Sequence, residues 1–354
     1  MEQSQQNHLS RRGFLKLTGW GVVGGTVAMH LPKMVLARQP LLANQSRAAL
    51  TCGDSRADNV YQALKLIEED IIKGLAGKKQ VVIKPNIVEV NQQLTATHAD
   101  CLEGILEFLK PLVKEEIIVA ESPAGVSAAT GYDTFGYYRL QQNYNVRFIE
   151  LDEQPNEIIH VLDEHYMPQP VRFSRLLMDP DVYVISSAML KTHDRAIVTL
   201  SLKNIVFGAA AKDVGYNRRT ARETGQRNDK PIVHGGRNNE GIHYNLFTVG
   251  KRLHPHLAVI DGFQGMEGNG PSQGTPVDHK VVIASTDWVA ADRIGAELMG
   301  FDYQKIGYIK FAVDAHVGQG NLSQIEVLGE QIENHIRQYK PHDRIDSQYL
   351  WMER

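Results

Sequence analysis

Val182-Tyr183-Val184-Ile185 runs into Ser186-Ser187-Ala188-Met189-Leu190-Lys191-Thr192-His193-Asp194, and that passage from an apolar, β-branched run to a polar end decides the fold. A short run of this kind reads as a buried strand, and the polar residues after it mark its carboxyl end. The pattern recurs. Val81-Val82-Ile83 precedes Lys84-Pro85-Asn86, Ile117-Ile118-Val119-Ala120 precedes Glu121-Ser122-Pro123, and Leu257-Ala258-Val259-Ile260 precedes Asp261-Gly262. Val146-Arg147-Phe148-Ile149 and Val281-Val282-Ile283 supply two further strands. Helical spacing fills the gaps: Val60, Leu64, Ile67 and Ile71 within Asn59 to Ile72, and Leu102, Ile105, Leu106, Leu109 and Leu112 within Ala99 to Leu112. A third helix is expected from Asp287 to Met299, with Thr286 or Asp287 as its cap and Gly300 as its end. The alternation predicts an α/β fold, a mostly parallel sheet flanked by helices, with one long polar loop excursion from Gly208 to Tyr244.

The chain has 354 residues, 42% hydrophobic and 22% charged, enough for one large core or two modest ones. Its 38 Lys+Arg against 41 Asp+Glu give a formal charge of −3, so no overall basic field draws it onto nucleic acid. Two cysteines, Cys52 and Cys101, exclude a disulfide-dense scaffold and cannot complete a four-thiolate cluster. A buried thiol or a single bridge accounts for both.

Residues 1–37 read as a twin-arginine signal peptide. Ser10-Arg11-Arg12-Gly13-Phe14-Leu15-Lys16 precedes a glycine-rich apolar run, Leu17 to Leu31, too short and too weakly apolar for a membrane span. Val35 and Ala37 suit cleavage after Ala37, and Leu41 with Ala43 offers a second site. Cleavage after Ala37 leaves 34 basic and 40 acidic groups, a formal −6. The expected partner in export is the twin-arginine translocation machinery, the destination is the periplasm or another exported location, and no stable membrane span remains after processing. Residues 38–50 read as a linker, 51–330 as a single α/β domain and 331–354 as a polar tail.

In an open parallel sheet, ligands bind outside the carboxyl ends of the strands. The residues there are ionisable: Lys84, Glu121, Lys191, His193 and Asp261. The glycines at 262, 265, 268 and 270 match neither a dinucleotide fingerprint nor a phosphate-binding P-loop, but they permit close approach of backbone N–H groups to an anion. The polar excursion adds Lys212, Arg218, Arg219, Arg222, Arg227 and Lys230 and is expected as a lid that carries positive charge toward such a ligand. Serine hydrolase chemistry lacks support, because no Gly-x-Ser-x-Gly elbow exists and Ser122 has no identifiable base.

Five motifs in order give the chain a family likeness. Lys84-Pro85-Asn86, Leu190-Lys191-Thr192-His193, Ser201-Leu202-Lys203-Asn204-Ile205-Val206-Phe207-Gly208, Asp261-Gly262 with Met266-Glu267-Gly268-Asn269-Gly270-Pro271 and Gly274, and Val289-Ala290-Ala291-Asp292 resemble the signature set of the domain of unknown function 362 family. The resemblance runs from about Thr51 to about Gly329 and bears on fold and site location, since the family name assigns no reaction. Some relatives carry a ferredoxin-like cysteine-rich segment; this chain has none, so no iron–sulfur cluster is expected.

The combined expectation is a crevice lined by Lys84, Asn86, Lys203, Asn204, Asp261, Glu267, Gly268 and Asn269 that binds a small anionic ligand, with Lys191 and His193 as acid/base or electrostatic groups. A divalent metal held by His193, Asp261 and Glu267, with help from His234 or His243, is the cofactor alternative. Asp292 is expected to bond a neighbouring loop. The leading reading is an exported enzyme acting on a small anion. The alternatives are a non-catalytic periplasmic ligand-binding or redox-accessory protein, or a maturation factor that delivers a metal or cofactor. Changing both Arg11 and Arg12 to Lys should leave unprocessed precursor in the cytoplasm; fractionation that finds export unchanged would refute the signal.

Overall fold

The structure, a computed structural model, describes residues 45–236 and 239–353; the signal-peptide reading and most of the expected linker lie outside them. The strands are β1 (Ser46–Cys52), β2 (Gln80–Lys84), β3 (Ile117–Glu121), β4 (Val146–Glu150), β5 (Asn156–Leu162), β6 (Pro168–Ser174), β7 (Val182–His193), β8 (Ile197–Thr199), β9 (Leu257–Asn269), β10 (Gln273–Ser285) and β11 (Ile325–Gly329). The helices are α1 (Arg56–Leu66), α2 (Glu68–Leu75), α3 (Ala99–Leu109), α4 (Ala128–Thr134), α5 (Ser201–Ala209), α6 (Ala221–Thr224), α7 (Lys230–Val233), α8 (Asn239–Gly250), α9 (Trp288–Leu298), α10 (Gly307–Asp314) and α11 (Ile345–Tyr349). Among the described residues no helix is long and apolar enough to cross a membrane.

One sheet organises the molecule in the order β11-β1-β10-β9-β7-β2-β3-β4, with β8 folded back on the end of β7, while β5 and β6 form a separate hairpin. β9, β7, β2, β3 and β4 run parallel. β10 is the exception to the expected parallel set: it is antiparallel to both β9 and β1. Only three residues separate β9 from β10, and a connection that short closes a hairpin but cannot cross over to a parallel neighbour.

Alternation along the strands feeds two cores. Val82, Val184, Ile260 and Ile283 pack with Leu202, Ile205, Leu246 and Ile294 on one face. Val81, Ile83, Val119, Tyr183 and Val282 pack with Val60, Leu64, Leu102 and Ile105 on the other. A strand covered on both faces needs apolar residues at every position, which is why these runs were continuous. Each fully buried aliphatic side chain contributes roughly 1.5–3 kcal/mol relative to exposure.

Three boundaries differ from expectation. The helix anticipated over Asn59 to Ile72 is two, because Ile67 leaves helical geometry and directs both Leu64 and Ile71 into one core. Residues 46–50, assigned to the linker, are strand: Ala48, Ala49 and Leu50 are buried between β10 and β11, and pairing on both sides makes a strand where intrinsic preference is weak. The polar tail is also packed. Ile332, Tyr339 and Trp351 are buried, and Gln348 Oε1 accepts the Ile197 N–H at 2.9 Å.

The expected α9 helix starts on Asp287, whose carboxylate accepts the Val289 and Ala290 N–H groups. Asp292, inside that helix, caps its neighbour instead: Ser201 N (2.8 Å) and Leu202 N (3.2 Å) at the start of α5 donate to its oxygens, as does the Tyr308 hydroxyl at 3.0 Å. Asp292→Ala would leave these three buried donors unpaired, each costing about 1–3 kcal/mol. The expected loss is about 3 kcal/mol or more in urea unfolding, with a smaller loss for Asp292→Asn; under about 1 kcal/mol for the alanine variant would show that the cap is dispensable.

Candidate functional site

Parallel pairing brings the ends of β2 and β3 side by side, and with them Lys84 and Glu121. Lys84 Nζ lies 2.5 Å from Glu121 Oε1 and donates to Pro85 O at 2.7 Å. Glu121 also accepts from Ser122 N (2.7 Å) and Ile87 N (3.0 Å), so the pair pins the chain after both strands. Burial pushes the Lys84 ammonium below its ordinary pKa, against the upward pull of Glu121. Gly208 leaves room for this lysine, since a Cβ there would overlap Lys84 Cε and Nζ.

Helix α5 crosses above the pair. Its Leu202, Ile205, Val206 and Ala209 enter the core, which turns Lys203, Asn204, Phe207 and Gly208 toward the strand ends. Asn204 Nδ2 donates to Lys84 O and Ser186 Oγ, both at 3.0 Å. Its Oδ1 accepts from Asn86 Nδ2 at 3.3 Å and Lys84 Nζ at 3.4 Å. Asn86 Oδ1 in turn accepts from Lys191 Nζ at 2.5 Å, and Lys191 also donates to Thr95 O at 3.2 Å. Burial and the neighbouring Lys203 lower the Lys191 pKa strongly.

A cavity of about 130 Å³ opens beside this network. Lys84, Asn86, His193, Lys203 and Asn204 line it, together with Glu121, Ser122, Phe207, Lys230 and His234. Lys203 Nζ sits 4.4 Å from the centre of the Phe207 ring, a cation–π arrangement, and burial lowers its pKa to about 8. Lys230 Nζ donates to Phe207 O (2.9 Å) and Gly208 O (3.1 Å), and burial, reinforced by nearby Lys212, lowers its pKa to about 7.

The two imidazoles are held in opposite tautomers. His193 Nδ1 accepts the Arg195 and Ala196 N–H groups, both at 3.1 Å, which puts the proton of the neutral ring on Nε2. Asp194 Oδ1 also lies 3.1 Å from Nδ1, but two backbone donors already occupy that nitrogen's lone pair. His234 Nδ1 donates to Lys230 O at 2.9 Å, leaving a lone pair on Nε2. Burial, with help from Lys203, keeps both rings neutral: His193 is pushed well below its ordinary value and His234 to about 3. Their ring centres are 6.3 Å apart.

The residues expected to share one crevice therefore divide. Lys191 is fully buried and reaches the cavity only through Asn86. Asp261 lies elsewhere, paired with Arg56 Nε at 3.0 Å and accepting Phe263 N at 2.9 Å; burial raises its pKa while Arg56 opposes the rise. Glu267 accepts Lys340 N at 2.9 Å, Gly268 N donates to Lys340 O at 2.7 Å, and Asn269 exchanges hydrogen bonds with Asp343, so all three hold the C-terminal segment. Hence His193, Asp261 and Glu267 do not gather as a ligand set, and among the described residues no group of three or more His, Cys, Asp or Glu does. His243 is buried against Tyr308 and Trp351, outside the cavity wall. The glycines of β9 and its turn serve packing: a Cβ at Gly265 would meet Tyr339, and one at Gly270 would meet Thr192. Cys52 and Cys101 are unbridged.

The polar excursion is not one loop: it starts inside α5, carries α6, α7 and the start of α8, and of its six expected basic residues brings only Lys230, with His234, to the cavity wall. Sequence reasoning placed Glu121 at its strand end, as it did Lys84, but left it out of the expected crevice lining. It found no base for Ser122, yet Ser122 Oγ donates to Asp152 Oδ1 at 2.8 Å and accepts from Lys212 Nζ at 3.1 Å.

Residues 81–297 match the family described as a domain of unknown function, DUF362. The chain belongs to that family. It is 25% identical over 228 residues to a thylakoid-associated protein of Synechocystis sp., covering 63% of this chain and 64% of that protein. It is also similar to the lactate racemase apoprotein from Thermoanaerobacterium thermosaccharolyticum, with 16% identity and a TM-score of 0.44 over 73% of this chain and 57% of the other. A protein from Thermotoga maritima matches at 13% identity and a TM-score of 0.40, over 75% and 60%. The chain thus spans less than two thirds of each relative.

The lowered lysines carry a pH signature. An unfolded lysine keeps its proton to about pH 10, whereas folded Lys230 releases it near 7, so the unfolded chain binds more protons between those values and stability rises with pH. The slope of unfolding free energy between about pH 7 and 8.5 should be steeper in the wild type than in Lys230→Met, by up to about 1.4 kcal/mol per pH unit. Equal slopes would show that Lys230 titrates normally.

Proposed function

We propose that the protein, once exported, takes a small anionic molecule into this cavity and exchanges a proton with it. The observation that carries the proposal is the charge of the wall: Lys84, Lys203 and Lys230 face one carboxylate, Glu121, which Lys84 already neutralises. Burying ammonium groups without counter-ions costs several kcal/mol each, and an anion bound among them offsets that cost. Lys203 and Lys230 supply the charge, with Asn86 and Asn204 as neutral donors. His193 Nε2–H and the His234 Nε2 lone pair give the wall one neutral hydrogen-bond donor and one acceptor, and Lys230, with its pKa near 7, is the group that exchanges the proton. Lys191 is a positioning residue that orients the Asn86 amide. Export follows from Arg11 and Arg12 and from the apolar run behind them.

Calorimetric titration with inorganic phosphate, sulfate and malonate tests the reading. Binding should take up protons and weaken from about pH 6.5 to about pH 9, as Lys230 and Lys203 lose their charge. Lys203→Ala should weaken it at least about tenfold while leaving thermal unfolding nearly unchanged. Preference for uncharged compounds, or equal binding by the variant, would overturn the proposal.

A further inference from the structure

Five lysines surround the cavity or stand just behind it, and their partners differ in kind. Lys84 is ion-paired with Glu121, and Lys212 with Asp152 at 2.6 Å. Lys203 lies over an aromatic face, which favours the cation. Lys191 has only neutral acceptors, but Asn86 stands between it and the cavity. Lys230 alone combines a place in the wall with neutral partners: its Nζ donates to Phe207 O and Gly208 O, and among the described residues no carboxylate pairs with it. Two carbonyl oxygens satisfy both N–H groups of a neutral amine, which leaves its lone pair without a hydrogen-bonding role.

We infer that Lys230 is a nucleophilic amine that forms an imine with a carbonyl group on the bound anion, which makes the ligand class small oxo acids. This rests on the anion-binding reading above and adds the reactive group. Nζ attacks the carbonyl carbon, forming the C–N bond as the C=O π pair moves to oxygen. Both amine hydrogens leave with that oxygen as water, and the nitrogen lone pair closes the C=N bond, so no oxidant or reductant is required. The opposite tautomers of His193 and His234 offer one hydrogen-bond donor and one acceptor to the oxygen that leaves as water. Burial, reinforced by Lys212 and opposed by Asp152 and Glu121, lowers the Lys230 pKa to about 7, which keeps much of the amine unprotonated at neutral pH. The cavity, about 130 Å³, has room for a ligand of a few carbon atoms.

The full-length protein is incubated with glyoxylate, the smallest molecule joining a carboxylate to a carbonyl, then reduced with borohydride and mapped by peptide mass spectrometry. The expected result is one reduced adduct per chain on Lys230, formed at least tenfold faster than with uncharged acetaldehyde and suppressed by excess sulfate. Lys230→Arg should form no adduct. Sulfate and glyoxylate binding without an adduct on Lys230, or adducts on other lysines only, would overturn the imine while leaving the anion site standing. Failure of the wild type to bind sulfate, phosphate or glyoxylate would overturn both.

Discussion

The ion pair between Lys84 and Glu121 is the constraint on which the site depends. It joins the ends of two adjacent parallel strands at a depth where neither charge reaches water. A buried pair adds little net stability, but removing one partner leaves an uncompensated charge costing about 3–5 kcal/mol. The geometry around it is correspondingly constrained. Glu121 ties down the first residues after each strand, Asn204 bonds the Lys84 carbonyl, and position 208 must lack a side chain. Helix α5 is held over the strand ends both by this polar contact and by Asp292 at its start.

Further out, the pairing rule relaxes. Lys203 and Lys230 are as secluded as many core residues, yet their partners are a ring face and two carbonyl oxygens. Stability alone would favour apolar replacements at both positions, so their presence points to a ligand that restores charge balance. The same seclusion shifts proton equilibria toward neutrality, turning ordinary lysines into groups that exchange protons near physiological pH. The proposed anion binding and the proposed amine reactivity would share one physical origin, the low polarisability around amines that no carboxylate pairs among the described residues.

Two segments that sequence composition sets apart as surface, 208–244 and 331–354, each contribute packed residues to the molecule. The first supplies Lys230 and His234 to the cavity. The second packs along the β9–β10 hairpin through Tyr339, Lys340 and Asp343 and occupies the polar groups of Glu267, Gly268 and Asn269. Polar composition marked both as solvated, although each buries anchoring residues between charged ones.

Strand positions, helix faces and the carboxyl-edge location were legible because burial on two faces demands continuous apolar runs, and because polar residues are tolerated only where such a run ends. That rule alone leads to Lys84, Glu121 and His193, and helical periodicity puts Lys203 and Asn204 on the face of α5 that turns away from its apolar residues. It misplaced Asp261 and Glu267 because β9 does not stop at Ile260: pairing with β10 extends it to Asn269, carrying the acidic residues into ladder positions with partners of their own. Lys230 and His234 were visible as residue types but not as neighbours of His193, since no periodicity encodes the return of an irregular segment to the sheet. Residue type and local pattern are properties of the chain that nearest-neighbour physics can read; which strand pairs with which, and so which charges meet, depends on contacts across hundreds of residues that only the folded structure brings about.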